Sequence, residues 1–200
     1  MSRGQQTREE ILNEALDQAT KKGLEALSIG TLAKAVGMSK SGLFGHFGSK
    51  ENLQTSVLEV CSVRFIDAVV RPAIKLPRGI ARLRSMLDLW LAWAGRDDGG
   101  CLFVSTAAEF DDRPGPVQDE VARQVRDWLT TLERATAISI AAGDLREDTD
   151  PEQFAFELHG LMLSYHLRAR LLGSDVAEQR ARVGLERLIR DYSVSPEIAA

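Results

Sequence analysis

Apolar residues recur at intervals of three and four along almost the whole chain, and this period constrains the fold more than any other feature. It matches the turn of an α-helix, whereas the strict alternation that marks a half-buried strand is nearly absent. The 200 residues include 44% hydrophobic and 27% charged residues, which is ordinary for a folded chain with a full core. The pattern predicts an all-α protein.

Start and stop signals divide the first 50 residues into three short helices. Thr7 and Glu10 have the spacing of a capping box in front of the first apolar stripe. Ser28 is placed to cap a second helix that stops at Gly37, and Ser39 is placed to cap a third. Two helices around a tight turn match a helix-turn-helix, although a small helical bundle without a ligand has the same local pattern.

Proline, glycine and acidic turns divide the remaining chain into further helical segments. A fourth helix opens at Ser49 and is expected to break at Pro72, because proline removes a helix hydrogen bond. The later segments are expected at about residues 78–95, 101–110, 117–142, 151–172 and 175–192.

The charge of the chain is unevenly distributed. The net charge of −4 argues against indiscriminate binding of nucleic acid. Residues 1–50 hold seven lysines and arginines against five acids and carry +2, so the rest of the chain carries −6. A slightly basic start on an acidic body suits a protein of which only the first segment meets phosphates.

Several functional classes lack their sequence signals. No nucleophile-base motif, phosphate-binding loop or metal cluster is recognisable, so we expect no enzyme activity, no cofactor and no metal. His159 and His166 lie seven residues apart, whereas zinc-binding pairs prefer a spacing of about four. No apolar run approaches about 18 residues and the N-terminus lacks a signal-peptide stretch, so we expect a cytoplasmic protein without a membrane segment.

Residues 7–55 carry many fixed spacings of one known module. The run SIGTLAKAVGMSKSGLFGHFGSKENL, preceded by REEILNEALDQATKKGLEAL, resembles the N-terminal DNA-binding module of the TetR family of one-component bacterial regulators. The rest of the chain resembles the family only as a run of about five helices. The matching positions are Gly23, Leu32, Ala33, Gly37, Met38, Ser39, Phe44, His46, Phe47, Lys50 and Leu53.

The resemblance implies about nine helices, with a helix-turn-helix DNA-binding domain at 1–50 and a ligand-binding and dimerisation domain at 51–200. It further implies a homodimer formed through the last two helices, a double-stranded palindromic operator, and an unknown small-molecule effector that releases a repressor from DNA. One alternative stays open, a small-molecule-binding or interaction module with a degenerate DNA-binding segment. Gly42 and Gly45 keep that alternative open, because they leave two positions of the recognition helix without a side chain.

The resemblance and the outward positions of the third helix together assign contacts with DNA. Lys40 is expected to meet a base or a phosphate, and Lys50 a phosphate at the start of the fourth helix. Phe44 stands where the family most often has tyrosine, so only a ring contact remains. Leu43 is expected in the core, as is the ring at position 47. The predicted DNA-contacting residues are Thr31, Ser39, Lys40, Ser41, Phe44, His46 and Lys50.

The larger domain offers side chains for a ligand pocket, although aromatic residues at helical spacing are more often packing. The predicted ligand-contacting residues are Phe65, Trp90, Trp93, Phe103, Phe110, Trp128, His159 and Tyr165. The last two helices carry apolar faces that serve either a dimer or an intramolecular contact. These faces comprise Leu158, Leu161, Met162, Tyr165, Leu172, Val183, Leu185, Leu188 and Ile189, with the small residues Gly160, Ala169 and Gly184.

Overall fold

A computed structural model of the protein describes residues 3–95 and 100–194, and within these ranges it contains helices and no strand. The prediction of an all-α fold with about nine helices is confirmed. Numbered in chain order, the helices are α1 (Arg3–Lys22), α2 (Ile29–Ala35), α3 (Lys40–Phe47), α4 (Lys50–Phe65, continued by a π-helical turn at Ile66–Val70 and by Arg71–Ile74), α5 (Ile80–Ala94), α6 (Leu102–Phe110), α7 (Pro116–Ala141), α8 (Pro151–Arg170) and α9 (Ala177–Tyr192).

The described residues form two compact units. The first comprises residues 3–64 and 100–124, and the second comprises residues 65–95 and 125–194. Two of the three boundaries along the chain therefore fall inside helices, one in α4 and one in α7. The functional division predicted between residues 50 and 51 stays a prediction. Among the described helices, none combines the length and apolarity needed to cross a bilayer.

The core of the first unit is built from the apolar stripes of its helices. The stripe of α1 faces α2, and α2 in turn packs on α3. Arg8 adds a polar clamp, because its guanidinium carbon lies 5.2 Å from the Phe47 ring centroid and its Nη2 donates to Ser56 Oγ at 3.0 Å. The buried apolar residues of α1 to α4 in this unit are Ile11, Leu12, Ala15, Leu16, Ala19, Leu32, Ala33, Leu43, Phe47, Leu53, Val57, Leu58 and Cys61.

The start of α1 differs from the sequence-based prediction. The helix begins at Arg3, so Thr7 lies within it and does not form a capping box with Glu10 at its start. Gln5 and Gln6, which lie between Arg3 and Thr7, are good helix formers. They extend the helix by about a turn toward the N-terminus, beyond the capping signal at Thr7. The prediction for this end was wrong.

The end of α4 also differs, since Pro72 does not break the helix. A π-helical turn at Ile66–Val70 precedes it, and the Arg71 N–H donates to the carbonyl of Ile66, five residues back. The helix then continues to Ile74. Because the wider turn changes the hydrogen-bond register just before the proline, the missing N–H of Pro72 is accommodated.

Candidate functional site

The turn between α2 and α3 is defined by three local signals. Ser28 caps α2 by accepting the Thr31 N–H at 3.1 Å, and Ser39 caps α3 by accepting the Gly42 N–H at 3.0 Å. Between the caps, Gly37 has φ +68°, a left-handed conformation that favours glycine. The predicted caps and turn are confirmed, and they give the two helices of a helix-turn-helix.

One side of α3 is anchored in the core of the first unit. Leu43 is fully buried and Phe47 nearly so, as expected from the sequence. The helix ends at Gly48, which has φ +75° and donates its N–H to the Phe44 carbonyl at 2.7 Å. An eight-residue helix is marginal by itself, so these anchors and both capped ends hold α3 in place.

The other side of α3 presents polar and aromatic groups to solvent. Lys40 and Ser41 are exposed, and the Phe44 ring is 50% exposed. The Ser41 hydroxyl lies 3.2 Å from that of Ser39, so both hydroxyls are close to the start of the helix. Among the described residues, no acceptor binds the Lys40 ammonium. The exposed side of α3 therefore offers donors that can meet base edges or phosphates.

Two predicted DNA-contacting residues already have neighbours within the first unit. The Thr31 hydroxyl donates to the Ser28 carbonyl at 3.1 Å and lies 2.9 Å from the Ser28 hydroxyl. The His46 ring is half-buried, with its centroid 6.3 Å from that of Phe47. Thr31 remains exposed at the start of α2, and its contact with DNA, like that of His46, stays a prediction.

The two glycines of α3, Gly42 and Gly45, have different surroundings. A methyl group at Gly42 would lie 3.1 Å from the Ser39 hydroxyl oxygen and 3.5 Å from Cε of Met38. Gly42 therefore leaves room for the cap that starts α3. At Gly45, by contrast, no described atom lies within 4 Å of an added methyl group, so that position opens to solvent.

Lys50, the predicted phosphate contact, is bound to an acidic residue. Its Nζ donates to the Glu25 carbonyl at 2.7 Å and lies 3.3 Å from the Glu25 carboxylate. The lysine side chain is 40% exposed and that of Glu25 is 50% exposed, so solvent screens the pair. Contact with a phosphate requires Lys50 to exchange one anion for another.

Further contacts hold Glu25. Its carboxylate accepts from Gln54 Nε2 at 3.4 Å and lies 3.9 Å from Arg113 Nη1, while its backbone N–H donates to the Glu109 carboxylate at 2.9 Å. Partial burial by itself raises the pKa of Glu25, but hydrogen bonds from Lys50 and Gln54, together with the charges of Lys50 and Arg113, lower it overall. The carboxylate is therefore ionised at neutral pH. We call these five residues the Glu25 cluster.

The Glu25 cluster connects separate segments of the first unit. It borders a cavity of about 230 Å³ that is also lined by Glu51 and by residues 114–117 around the start of α7. Hydrogen-bonded members lie up to 84 residues apart in the chain, so no spacing in the sequence links them. Sequence analysis missed Glu25, Glu109 and Arg113 for that reason.

Three predicted ligand-contacting aromatics meet in the second unit. The Phe65 ring centroid lies 5.6 Å from that of Trp93 and 5.1 Å from that of Trp128, with interplanar angles of 80° and 87°. This is the edge-to-face geometry that aromatic rings favour. The Trp128 Nε1 is buried and finds no acceptor among the described residues. Because an unpaired buried donor costs about 1–3 kcal/mol, ring packing alone does not account for this N–H.

The other predicted ligand-contacting residues are distributed over both units. In the second, the Trp90 and Tyr165 ring centroids lie 6.0 Å apart. His159 is half-buried there, and burial lowers its pKa, so its imidazole is neutral at pH 7. Phe103 and Phe110 lie on α6 in the first unit, where Phe103 is half-buried and Phe110 is buried. Their contact with a ligand stays a prediction, as it does for the other six.

Helices α8 and α9 divide their apolar residues between two faces. The inner face accounts for the intramolecular alternative, and its buried residues include Leu158, Met162, Tyr165, Leu185, Leu188 and Ile189. Gly184 belongs to that contact, because a methyl group there would lie 2.6 Å from Cδ2 of Leu161. The exposed face of α8, which we call the outer stripe, comprises Phe156, Gly160, Leu163 and Leu167, with Leu171 directly after the last residue of the helix. Val176 and Val183 are also exposed, just before α9 and within it.

The outer stripe runs along one side of α8. Its members are spaced by three or four residues, which places them on one helical face. Phe156 and Leu171 are 73% exposed and Leu167 is 56% exposed. At Gly160 no described atom lies within 4 Å of an added methyl group, so another helix has room to approach. Exposed apolar stripes of this kind are typical of interaction surfaces.

The helix-turn-helix and the helical body define the fold of a DNA-binding regulator. A family model described as bacterial regulatory proteins, tetR family, matches residues 11–57. A second, described as tetracyclin repressor-like, C-terminal domain, matches residues 79–185, which is more than half of the chain. The chain therefore belongs to the TetR family of bacterial regulatory proteins, and the resemblance noted in the sequence is confirmed.

Solved structures have the same fold. A TetR transcriptional regulator from Chloroflexus aurantiacus is 24% identical over 96% of this chain and 98% of its own, with a TM-score of 0.88. A TetR family regulator from Cytophaga hutchinsonii is 22% identical over 98% of both chains, with a TM-score of 0.84. AibR, solved with isovaleryl coenzyme A and operator DNA, is 19% identical over 95% of this chain and 98% of its own, with a TM-score of 0.71. No curated protein matches the chain.

Proposed function

We propose that this protein is a transcriptional repressor that binds a palindromic operator as a homodimer and leaves it when a small-molecule effector binds. The observation that carries the proposal is the exposed side of α3, where Lys40, Ser41 and Phe44 project from a helix anchored on its other side. Lysine and serine donors suit phosphates and base edges in the major groove. AibR, whose structure contains both operator DNA and a coenzyme A ester, supports pairing a DNA and a ligand function on this fold.

The DNA-binding proposal predicts a footprint. On the promoter next to its own gene, the protein is expected to protect an inverted repeat, with binding that weakens as salt is raised, because lysine-phosphate contacts release counterions. Nuclease footprinting at low and physiological salt measures both effects. Failure to enrich any inverted repeat, on this promoter and in a selection from random duplexes, would contradict the proposal and favour the degenerate-segment alternative.

We propose further that the effector is an apolar molecule carrying a hydrogen-bond acceptor and that it binds beside the cluster of Phe65, Trp93 and Trp128. The buried Trp128 Nε1, which has no acceptor among the described residues, supports this chemistry. An acceptor on the ligand would satisfy that N–H, and the rings would cover its apolar part.

The effector proposal is tested with Trp128→Phe, which keeps an aromatic ring and removes the N–H. Compounds that stabilise the wild-type protein in a thermal-shift screen are expected to bind this variant about tenfold more weakly, which is about 1.4 kcal/mol. Calorimetric titration measures the affinities. An analogue without the acceptor serves as the control and should bind both proteins alike. If Trp128→Phe weakens the binding of the compound and of its acceptor-free analogue equally, Trp128 contributes only ring packing and no hydrogen bond.

A further inference from the structure

The end of the Lys40 side chain lies beside the backbone of Gly30 in α2. Gly30 occupies the first turn of α2, and a methyl group at that position would lie 3.1 Å from Cε and 3.5 Å from Nζ of Lys40. The closer distance is tighter than ordinary van der Waals contact, so a side chain at position 30 has to push the end of the lysine aside. The missing side chain of Gly30 therefore determines where the Lys40 ammonium can lie.

No ion pair fixes the ammonium in this place. Within the described part of the chain, Lys40 has no carboxylate partner, whereas Lys50 is held by Glu25. The Ser28 hydroxyl lies 4.0 Å from the methyl position and is itself bonded to α2. The ammonium therefore lies beside α2 without a bonded partner, and a lysine that already occupies this position needs less rearrangement when DNA binds.

We propose that Gly30 is a specificity-determining position that holds Lys40 for contact with a guanine in each operator half-site. This inference rests on the proposed function in DNA binding. A lysine only donates hydrogen bonds, and guanine presents two acceptors, O6 and N7, on its major-groove edge, whereas adenine presents a donor beside its acceptor. A lysine displaced from α2 reaches phosphates as well as bases, and phosphate contacts carry no sequence information.

The test compares Gly30→Ala, Lys40→Met and the double variant on the footprinted operator and on every single base-pair change in its half-site. The wild-type protein is expected to prefer one guanine by about tenfold or more. Each single variant should lose that preference, and the double variant should lose no more than either one. Gly4→Ala is the control, since no described atom lies within 4 Å of the added methyl group, and it should keep the preference.

Folding and recognition are separated by a second measurement. Alanine is a better helix former than glycine, so Gly30→Ala is expected to melt at or above the temperature of the wild-type protein while it loses discrimination. If the wild-type protein binds no duplex, the proposed function fails and this inference with it. If it binds and Gly30→Ala keeps the guanine preference, or if the two variants have additive effects, the inference alone is overturned.

Discussion

Replacing Lys50 by alanine is expected to weaken binding to every duplex sequence by a similar factor. Lys50 begins α4, and a cation there is placed for a phosphate, which carries charge but no base identity. In a dimer the variant loses one phosphate contact in each protomer. The slope of log affinity against log salt should therefore become shallower by about two. Anisotropy titrations from about 50 to about 200 mM salt, on the operator and on an unrelated duplex, measure the change.

Glu25→Gln is expected to change affinity in the opposite direction. In the proposed complex the Glu25 carboxylate competes with DNA for Lys50, and removing its charge leaves only the hydrogen bond to the Glu25 carbonyl to hold the lysine. Because exposed pairs contribute about 0–1 kcal/mol, the gain should be no more than several-fold. The increase should be much smaller in a Lys50→Ala background.

Glu51→Gln is a matched control for the change in charge. Glu51 is an exposed acid in the first turn of α4, and it has no cationic partner within the described ranges. If Glu51→Gln raises DNA affinity as much as Glu25→Gln does, the gain in both variants comes from weaker general repulsion of DNA. Competition between Glu25 and DNA for Lys50 would then not explain it. An unchanged salt slope in Lys50→Ala would mean that the lysine stays with Glu25 when DNA binds.

Leu167→Glu is expected to separate the proposed homodimer into monomers. Leu167 lies within the outer stripe, and if this stripe forms the interface of the proposed homodimer, two-fold symmetry places the substitution in that interface twice. A charge buried at the centre of an apolar contact makes the free energy of association less favourable by on the order of 2 kcal/mol or more for each substituted side chain. The proposed function has two linked protomers on an inverted repeat, so loss of the link should lower operator affinity by about a hundredfold or more.

Analytical ultracentrifugation gives the mass of Leu167→Glu, and gel shift gives its operator affinity. Val63→Glu is the control, because Val63 is an exposed apolar residue on α4, outside the outer stripe. It should stay dimeric and keep its affinity. If Leu167→Glu remains dimeric and its circular dichroism is unchanged, the outer stripe is not the dimer interface.

Local signals in the sequence correctly predicted most of the helices and the turn between α2 and α3. Ser28 and Ser39 cap the helices that they were expected to cap, and the turn at Gly37 follows from its left-handed backbone. Such signals act within a few residues and depend on backbone geometry alone, so a single sequence contains them. The start of α1 was missed because a capping signal does not prevent good helix formers from adding a turn.

Contacts between distant segments could not be predicted in the same way. The pairing of Lys50 with Glu25 depends on how the turn after α1 meets the start of α4, and no periodic pattern encodes it. The contact of Gly30 with Lys40 similarly requires the crossing of α2 and α3. The apolar residues of α8 were identified, but their division between an inner face and the outer stripe depends on the position of α9.

The π-helical turn of α4 makes the length of this helix as important as its composition. Phe65, Val69 and Ala73 are all buried, and the wider turn at Ile66–Val70 lies among them. Deleting one residue from the turn would rotate the following segment by about 100° and bring the Pro72 ring into a regular α-helical ladder. The segment should accordingly tolerate exchanges of apolar residues far better than a change in length. In an alignment with relatives whose helix lacks the π turn, the expected difference is a gap of a single position.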